Sequence, residues 1–123
     1  MGPVWDYNLS FGNVDFCQSS SISGWVLEEE TSCRTSIPVL WKNLLENDSF
    51  REQLILRWNE LRKDILHFDN MFNHIDSIGN YLDEAQNRNF ERWDILGNWV
   101  WPNYQLGSTY KDELDFLKYW IYH

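Results

Sequence analysis

Oxygen-bearing side chains stand close together near the N-terminus, in the stretch Trp5–Asn13. Asp6 and Asn8 are two residues apart, and in an extended segment this spacing places both side chains on one face. Carboxylate and amide oxygens together suit a hard cation such as Mg²⁺. Asp6 and Asn8 are therefore candidate magnesium ligands. The alternative interpretation is a turn rich in Asp and Asn that binds no metal.

The other polar residues form no recognisable catalytic pattern. His67, His74 and His123 include no i, i+4 pair, which favours surface or half-buried histidines over a zinc site. The sequence contains neither a nucleophile elbow of the G-x-S-x-G kind nor a Gly-rich phosphate loop. The carboxylates within Asp112–Asp115 lie at a predicted helix start, where they favour the helix macrodipole. The sequence therefore assigns no catalytic residue.

A second polar cluster runs from Glu84 to Trp93 and combines amides, two arginines and two aromatic residues. Arg88 and Arg92 are four residues apart, so they share one side of a helix. Glu84 and Glu91 can both pair with Arg88 along the helix. We expect this cluster to hold the N-terminal segment by hydrogen bonds.

Composition and charge exclude several classes of protein. The chain has 123 residues and a net charge of −9, which disfavours nonspecific nucleic-acid binding. It has no run of about 20 apolar residues that could span a membrane, and its first residues do not form a signal peptide. Aromatic residues make up 17% and include 8 tryptophans. This excess indicates apolar surface that belongs to a larger interface and could drive self-association.

The elements that must position these side chains are mainly helical. Residues 1–123 are predicted to form one mainly α domain, in which an irregular segment, 1–36, precedes a helical part, 37–123. Val4–Phe11 and Trp25–Leu27 are candidate short strands. We expect an irregular bundle of about four helices with the N-terminal segment laid across it.

The predicted helices follow from apolar spacing and capping residues. The first begins after Ser36, the second at a Ser49 capping box and ends near His67, the third is capped by Asp69 and covers 70–95, and the last begins at Ser108 or Thr109. An aromatic loop over 98–107 connects the last two helices.

The two cysteines, Cys17 and Cys33, lie in the irregular segment. A disulfide closing this loop would stabilise the segment by ~3 kcal/mol. The alternative is two free thiols in a reducing compartment.

Several stretches in this order resemble the motifs of the spore coat protein H (CotH-like) kinase family. The opening Gly2–Asn13 resembles the family's GPxWDxN/D-L-x-x-GN motif. Further likenesses are Trp41–Phe50 to W-x-x-L-L-x-D-x-x-F, Arg57–Arg62 to RW-x-x-LR, and the later pieces Ile75-Asp76, Ala85–Phe90 and Arg92-Trp93. Cys17, Gly24-Trp25 and Cys33 resemble a cysteine pair of secreted relatives. The likeness covers nearly the whole chain.

This resemblance implies an atypical protein kinase that transfers phosphate from ATP to Ser of coat or surface proteins with Mg²⁺. Asp6 would be the metal-binding Asp, and Asn8 stands where some relatives have a second Asp. The family places its nucleotide-binding lobe, phosphate-positioning Lys and catalytic base before this motif. We therefore expect a C-terminal fragment that is inactive alone and whose partner is the missing kinase lobe. The likeness and Cys17 with Cys33 favour an extracytoplasmic or cell-surface location.

Two other functions remain open on the sequence. One is a helical protein-interaction module without chemistry. The other is carbohydrate binding through Trp99, Trp101 and Tyr104, because aromatic rings suit sugar faces. We favour the kinase fragment over both.

Overall fold

The computed structural model describes residues 11–17, 19–23 and 39–123, and this part of the chain contains helices and loops but no strand. The five helices are α1 (Val39–Glu46), α2 (Asp48–Arg62), α3 (Phe68–Tyr81), α4 (Asp83–Arg92) and α5 (Tyr110–Tyr122). The mainly α prediction is confirmed, with one helix more than expected. The strand predictions over Val4–Phe11 and Trp25–Leu27 lie outside the described residues, apart from Phe11, which is not in a strand.

Helix α2 begins earlier than predicted because a better cap precedes Ser49. The side chain of Asn47 accepts a hydrogen bond from the backbone N–H of Phe50 at 2.9 Å, and asparagine is among the best N-cap residues. The predicted Ser49 capping box is therefore wrong. The helix also ends at Arg62 rather than near His67, because a turn follows in which the Leu66 N–H donates to the Leu61 carbonyl at 2.9 Å.

The single helix predicted over 70–95 is two helices. The backbone leaves the helical region at Leu82, with φ −88° and ψ 1°, and this residue separates α3 from α4. The cap of α3 is His67 rather than Asp69. The His67 Nδ1 atom accepts a hydrogen bond from the Asp69 N–H at 3.3 Å. The His67 ring therefore caps the N-terminus of α3.

The packing of α3 against α5 explains a glycine in the middle of a helix. Gly79 is buried, and a Cβ at this position would lie 2.7 Å from the Leu114 Cδ1 atom of α5. A glycine in a helix costs up to ~1 kcal/mol relative to alanine, but here it allows the two helices to approach. The rings of Phe68 and Tyr122 also meet, with centroids 4.9 Å apart.

The predicted start of α5 is confirmed, and of the two predicted cap residues, Ser108 and Thr109, it is Thr109 that caps the helix. Its side chain accepts from the Asp112 N–H at 3.2 Å, and the Asp112 carboxylate accepts from the Thr109 N–H at 2.8 Å. These two bonds form a complete capping box.

The helices divide into two packing groups. Helices α1 and α2 pack mainly on each other, whereas α3 packs on both α4 and α5. The guanidinium of Arg62 lies 4.1 Å from the centre of the Phe68 ring and connects the end of α2 to the start of α3. Each of the described helices is too short or too polar for a transmembrane span.

Candidate functional site

The predicted magnesium ligands, Asp6 and Asn8, lie outside the described residues. The structure does describe the end of the Gly2–Asn13 motif, from Phe11 onward. We call residues 11–16 the anchor segment, because contacts with α5 and the aromatic loop hold it in place. The candidate site is therefore described by the contacts that α5 and the aromatic loop make with this segment.

Gly12 of the anchor segment lies directly against α5. It is buried, and its φ of +79° is in the left-handed region that favours glycine. A Cβ at this position would overlap the Nε1 and Cδ1 atoms of Trp120. The neighbouring Phe11 ring meets the Trp120 ring edge-on, with centroids 5.7 Å apart and planes at 83°. Both the conformation and the space therefore require glycine at position 12.

The indole of Trp120 has a polar atom that this close packing leaves unpaired. Its Nε1–H is buried and makes no hydrogen bond in the described part of the chain. An unmade hydrogen bond of a buried donor costs ~1–3 kcal/mol. The contact between Trp120 and Gly12 is therefore a steric one, without a polar link to the anchor segment.

Asn13 supplies the polar link to the aromatic loop. Its Oδ1 atom accepts hydrogen bonds from the backbone N–H groups of Tyr104 and Gln105, both at 2.9 Å. These partners are more than ninety residues away in sequence. One side chain thus satisfies two consecutive loop amides that the loop itself leaves free.

The rest of the anchor segment continues along the same loop. Val14 is only 2% exposed and is the single buried hydrophobic residue of the described chain. The Asp15 N–H donates to the Pro102 carbonyl at 2.8 Å. The Phe16 ring stacks on Trp101, with centroids 6.0 Å apart and planes at 15°. Apolar and polar contacts therefore alternate along the segment.

The aromatic loop is itself held closed at its base. The Gly97 N–H donates to the Gly107 carbonyl at 2.8 Å, and the Gly107 N–H donates to the Glu113 carboxylate of α5 at 2.7 Å. Within the loop, the Trp99 indole donates to the Asn103 carbonyl at 3.1 Å. This closed loop presents a fixed surface to the anchor segment.

Cys17 follows the anchor segment and is disulfide-bonded. The other cysteine of the chain, Cys33, lies outside the described residues. A disulfide here ties the end of the anchor segment covalently, and it is typical of proteins in oxidising compartments.

A second concave region lies between α3, α4 and the start of α5, with a volume of about 840 Å³. Its lining includes five carboxylates and two lysines: Asp76, Asp83, Glu91, Asp94, Asp115, Lys111 and Lys118. Lys118 pairs with Asp76, and Lys111 pairs with Asp115. The hydrogen bond and the charge of Asp115 raise the pKa of Lys111 above its ordinary value. Both lysines of this cleft are thus committed to ion pairs.

The cleft does not meet the requirements of a metal site. Among residues 11–17, 19–23 and 39–123, no three His, Cys, Asp or Glu side chains are grouped so as to hold a metal ion. His74 and His123 lie exposed on α3 and at the end of α5, and the His123 Nδ1 atom lies 3.0 Å from the Tyr119 carbonyl.

The predicted role of the cluster from Glu84 to Trp93 is not what the described contacts show. Arg88 pairs with Glu84 within α4, and Gln86 bonds only to neighbours on the same helix. The Arg92 guanidinium lies 5.3 Å from the centre of the Trp93 ring. The anchor segment bonds to the aromatic loop instead, because its acceptor, Asn13, faces free backbone amides there.

The residues that sequence reasoning missed are Asn13 and Trp120. The pair Gly12-Asn13 ends the N-terminal motif, and a Gly-Asn pair is typical of a turn or another special backbone conformation. Trp120 carries no such signal, because it occupies an ordinary apolar position of α5. The partners of Asn13 lie in a loop that only the fold brings near.

The family model described as CotH kinase protein matches residues 1–123, which is the whole chain. No curated protein and no solved structure matches the chain at a significant level.

Proposed function

This chain belongs to the CotH kinase family, and we propose that it forms the helical part of a kinase that transfers phosphate from ATP to Ser of coat or surface proteins. In this proposal Asp6 ligates Mg²⁺, and Asn8 contributes an amide oxygen beside it. Bound Mg²⁺ neutralises and orients the phosphates in such a transfer. The charge of Asp6 holds the cation, and the neutral Asn8 leaves the net charge of the site lower than two carboxylates would.

The observation that supports this proposal is the fixation of the anchor segment. Five residues after Asp6, the chain meets Trp120 of α5 at Phe11 and Gly12. Asn13 then bonds to two amides of the aromatic loop. A metal ligand must be held in place to be useful in phosphate transfer. In this proposal the contacts of Phe11, Gly12 and Asn13 hold the chain in place next to the metal motif.

We propose that these 123 residues do not transfer phosphate by themselves. The resemblance places the family's nucleotide-binding lobe, its phosphate-positioning lysine and its catalytic base before the Gly2–Asn13 motif. In the described chain, Lys111 and Lys118 are held by carboxylates. Phosphate transfer is proposed to need the ATP-binding lobe as the partner of this chain.

One observation favours a second function, a non-catalytic helical interaction module. Large apolar side chains of α1 and α2 are exposed, among them Val39, Leu40, Trp41, Ile55, Leu56 and Trp58. An exposed apolar surface of this size is typical of a protein-binding face. This function does not require Mg²⁺ or ATP.

Calorimetric titration of Mg²⁺ alone into the purified chain tests the metal assignment, because ATP binding is proposed to need the lobe that precedes the Gly2–Asn13 motif. We expect saturable heat of Mg²⁺ binding that Asp6→Ala abolishes. Asp15→Ala is the matched control, because it removes an exposed carboxylate of the same region while its backbone bond to Pro102 remains. Binding unchanged in Asp6→Ala, or absent from the wild type, would reject the metal site in this chain and leave the interaction module as the function.

We also propose an extracytoplasmic or cell-surface location, which the disulfide-bonded Cys17 supports. Thiol alkylation of the protein in intact cells, followed by mass spectrometry, tests it. We expect both cysteines to resist alkylation until a reductant is added. Cysteines that react at once would contradict this location.

A further inference from the structure

The exposed residues on the outer face of α2 are spaced symmetrically about the middle of the helix. Five exposed residues of α2 and its exposed C-cap residue occupy this face, at spacings of four, three, one, three and four: Asp48, Glu52, Ile55, Leu56, Asn59 and Lys63. At about 100° per residue they fall within an arc of about 100° on the helix surface. We call these six residues the α2 outer face.

This face lies on the other side of the helix from its apolar stripe. The less exposed residues of α2 are Phe50, Leu61 and Arg62. Phe50 and Leu61 lie roughly opposite the face, together with Leu54 and Trp58. That apolar stripe is the side available to α1, on which α2 packs. Every residue from 51 to 60 is nevertheless exposed, so the described chain leaves the α2 outer face uncovered.

The two ends of the face carry opposite charges. Asp48 and Glu52 make the first half acidic, and Lys63 with the adjacent Arg62 makes the end basic. Asp48 bonds only to Arg51 of the same helix. Glu52 and Lys63 have side chains that form no hydrogen bond or ion pair in the described structure. The charges of Glu52 and Lys63 are therefore available to a partner, whereas Asp48 would share its carboxylate with Arg51.

The middle of the face is apolar. Ile55 is 53% exposed and Leu56 is 69% exposed, so these adjacent aliphatic side chains present apolar surface at the centre of the face. Burying them would remove apolar surface from water at ~25 cal/mol per Å². An apolar centre flanked by charged ends is the usual anatomy of an interface.

We propose that the α2 outer face binds the same face of a second copy of this chain, with the two helices antiparallel. A two-fold axis between Ile55 and Leu56 brings these residues of the two copies together. The same axis places Asp48 of each copy opposite Lys63 of the other, and Glu52 opposite Asn59. Because a two-fold interface must be complementary to itself, the reversed order of charge and the symmetric spacing select a second copy over an unrelated partner.

The association is weak and depends on concentration. The face spans a single helix of 15 residues, which is a small contact beside the ~1,200–2,000 Å² that a stable complex buries. This proposal does not depend on phosphate transfer, because none of the six residues belongs to the proposed metal motif.

Sedimentation velocity on the full chain, from about 10 µM to about 300 µM, tests the dimer. We expect reversible dimerisation that Leu56→Glu weakens at least about tenfold. Tyr81→Glu is the control, because Tyr81 is at least as exposed, at 87%, but lies on α3. A wild-type chain that stays monomeric, or a dimer that Tyr81→Glu disrupts as much as Leu56→Glu, would overturn the proposal.

Charge reversal identifies the antiparallel register. Asp48→Lys makes both ends of the face basic, and Lys63→Asp makes both ends acidic. We expect each variant alone to be monomeric and an equimolar mixture to dimerise, while circular dichroism shows an unchanged helix content. A mixture as monomeric as its components would overturn the antiparallel pairing.

Discussion

The anchor segment and the α1–α2 pair differ in what holds their apolar residues. Phe11–Phe16 is held by α5 and the aromatic loop, with Val14 buried and Asn13 bonded to two backbone amides. In α2, residues 51–60 are all exposed although several are large and apolar. A short irregular segment thus makes closer tertiary contacts than a helix of 15 residues. Regular secondary structure does not by itself provide such contacts with distant parts of the chain.

The physical reason lies in the kind of contact each region makes. A helix satisfies most of its own backbone hydrogen bonds, so it needs external contacts mainly to pack one face, which is where most of its stability comes from. An irregular segment must find external partners for its backbone and side chains. The anchor segment finds them, so substitutions there are expected to matter more than substitutions on α2.

Gly12→Ala should have the largest effect on stability. The substitution places a Cβ onto Trp120 and forces alanine into a φ of +79°. We expect the free energy of unfolding to fall by ~2–4 kcal/mol, from the strained backbone and the overlap together. Urea denaturation followed by tryptophan fluorescence measures this change.

Gly97→Ala is the matched control for that experiment. Gly97 has a similar φ of +73°, but a Cβ there would meet nothing nearer than the Ser108 Cα atom at 3.8 Å. Only the backbone strain remains, so the expected loss is ~1–2 kcal/mol. Equal losses in the two variants would show that Trp120 does not press against Gly12.

Asn13→Ala should have the next largest effect. It removes the acceptor of the Tyr104 and Gln105 N–H groups, and we expect a loss of ~1–2 kcal/mol in the free energy of unfolding. Asn13→Asp keeps an oxygen at the same position and should stay close to the wild type. A loss as large in Asn13→Asp as in Asn13→Ala would contradict the assigned hydrogen bonds.

The smallest effect concerns Lys111 on the exposed surface of α5. Asp115 raises its pKa above the ordinary value of 10.5. The stabilising pair is therefore fully present below that ordinary value and is lost as the pH rises through the raised pKa. We expect the stability difference between wild type and Asp115→Asn to shrink over this alkaline range and to be small throughout, because exposed pairs contribute little. A difference that grows with pH would contradict the assignment.

The sequence predicted what depends on neighbouring residues. Thr109 was one of the two cap residues predicted for the last helix, and the structure confirms it. Ser49 and Asp69 were wrong because Asn47 and His67, two residues earlier in each case, already accept the first free amides. Local patterns locate a helix start but do not choose between nearby caps.

The contacts of the candidate site could not be predicted in the same way. Asn13 and its two partners are separated by more than ninety residues, and no periodic pattern relates them. The break at Leu82 was also missed, because the apolar stripe continues through it from Ile78 to Phe90. The metal assignment of Asp6 and Asn8 stays a prediction, since these residues lie outside the described part of the chain.

Hydrogen exchange on the dilute, monomeric chain tests the difference between the two regions most directly. The amides of Asp15, Tyr104 and Gln105 are held by the anchor segment's contacts, whereas those of Ile55 and Leu56 depend on α2 alone. We expect the first group to exchange at least about tenfold more slowly, relative to each amide's unfolded rate. Exchange of the α2 amides as slow as that of the anchor segment's amides would contradict the account.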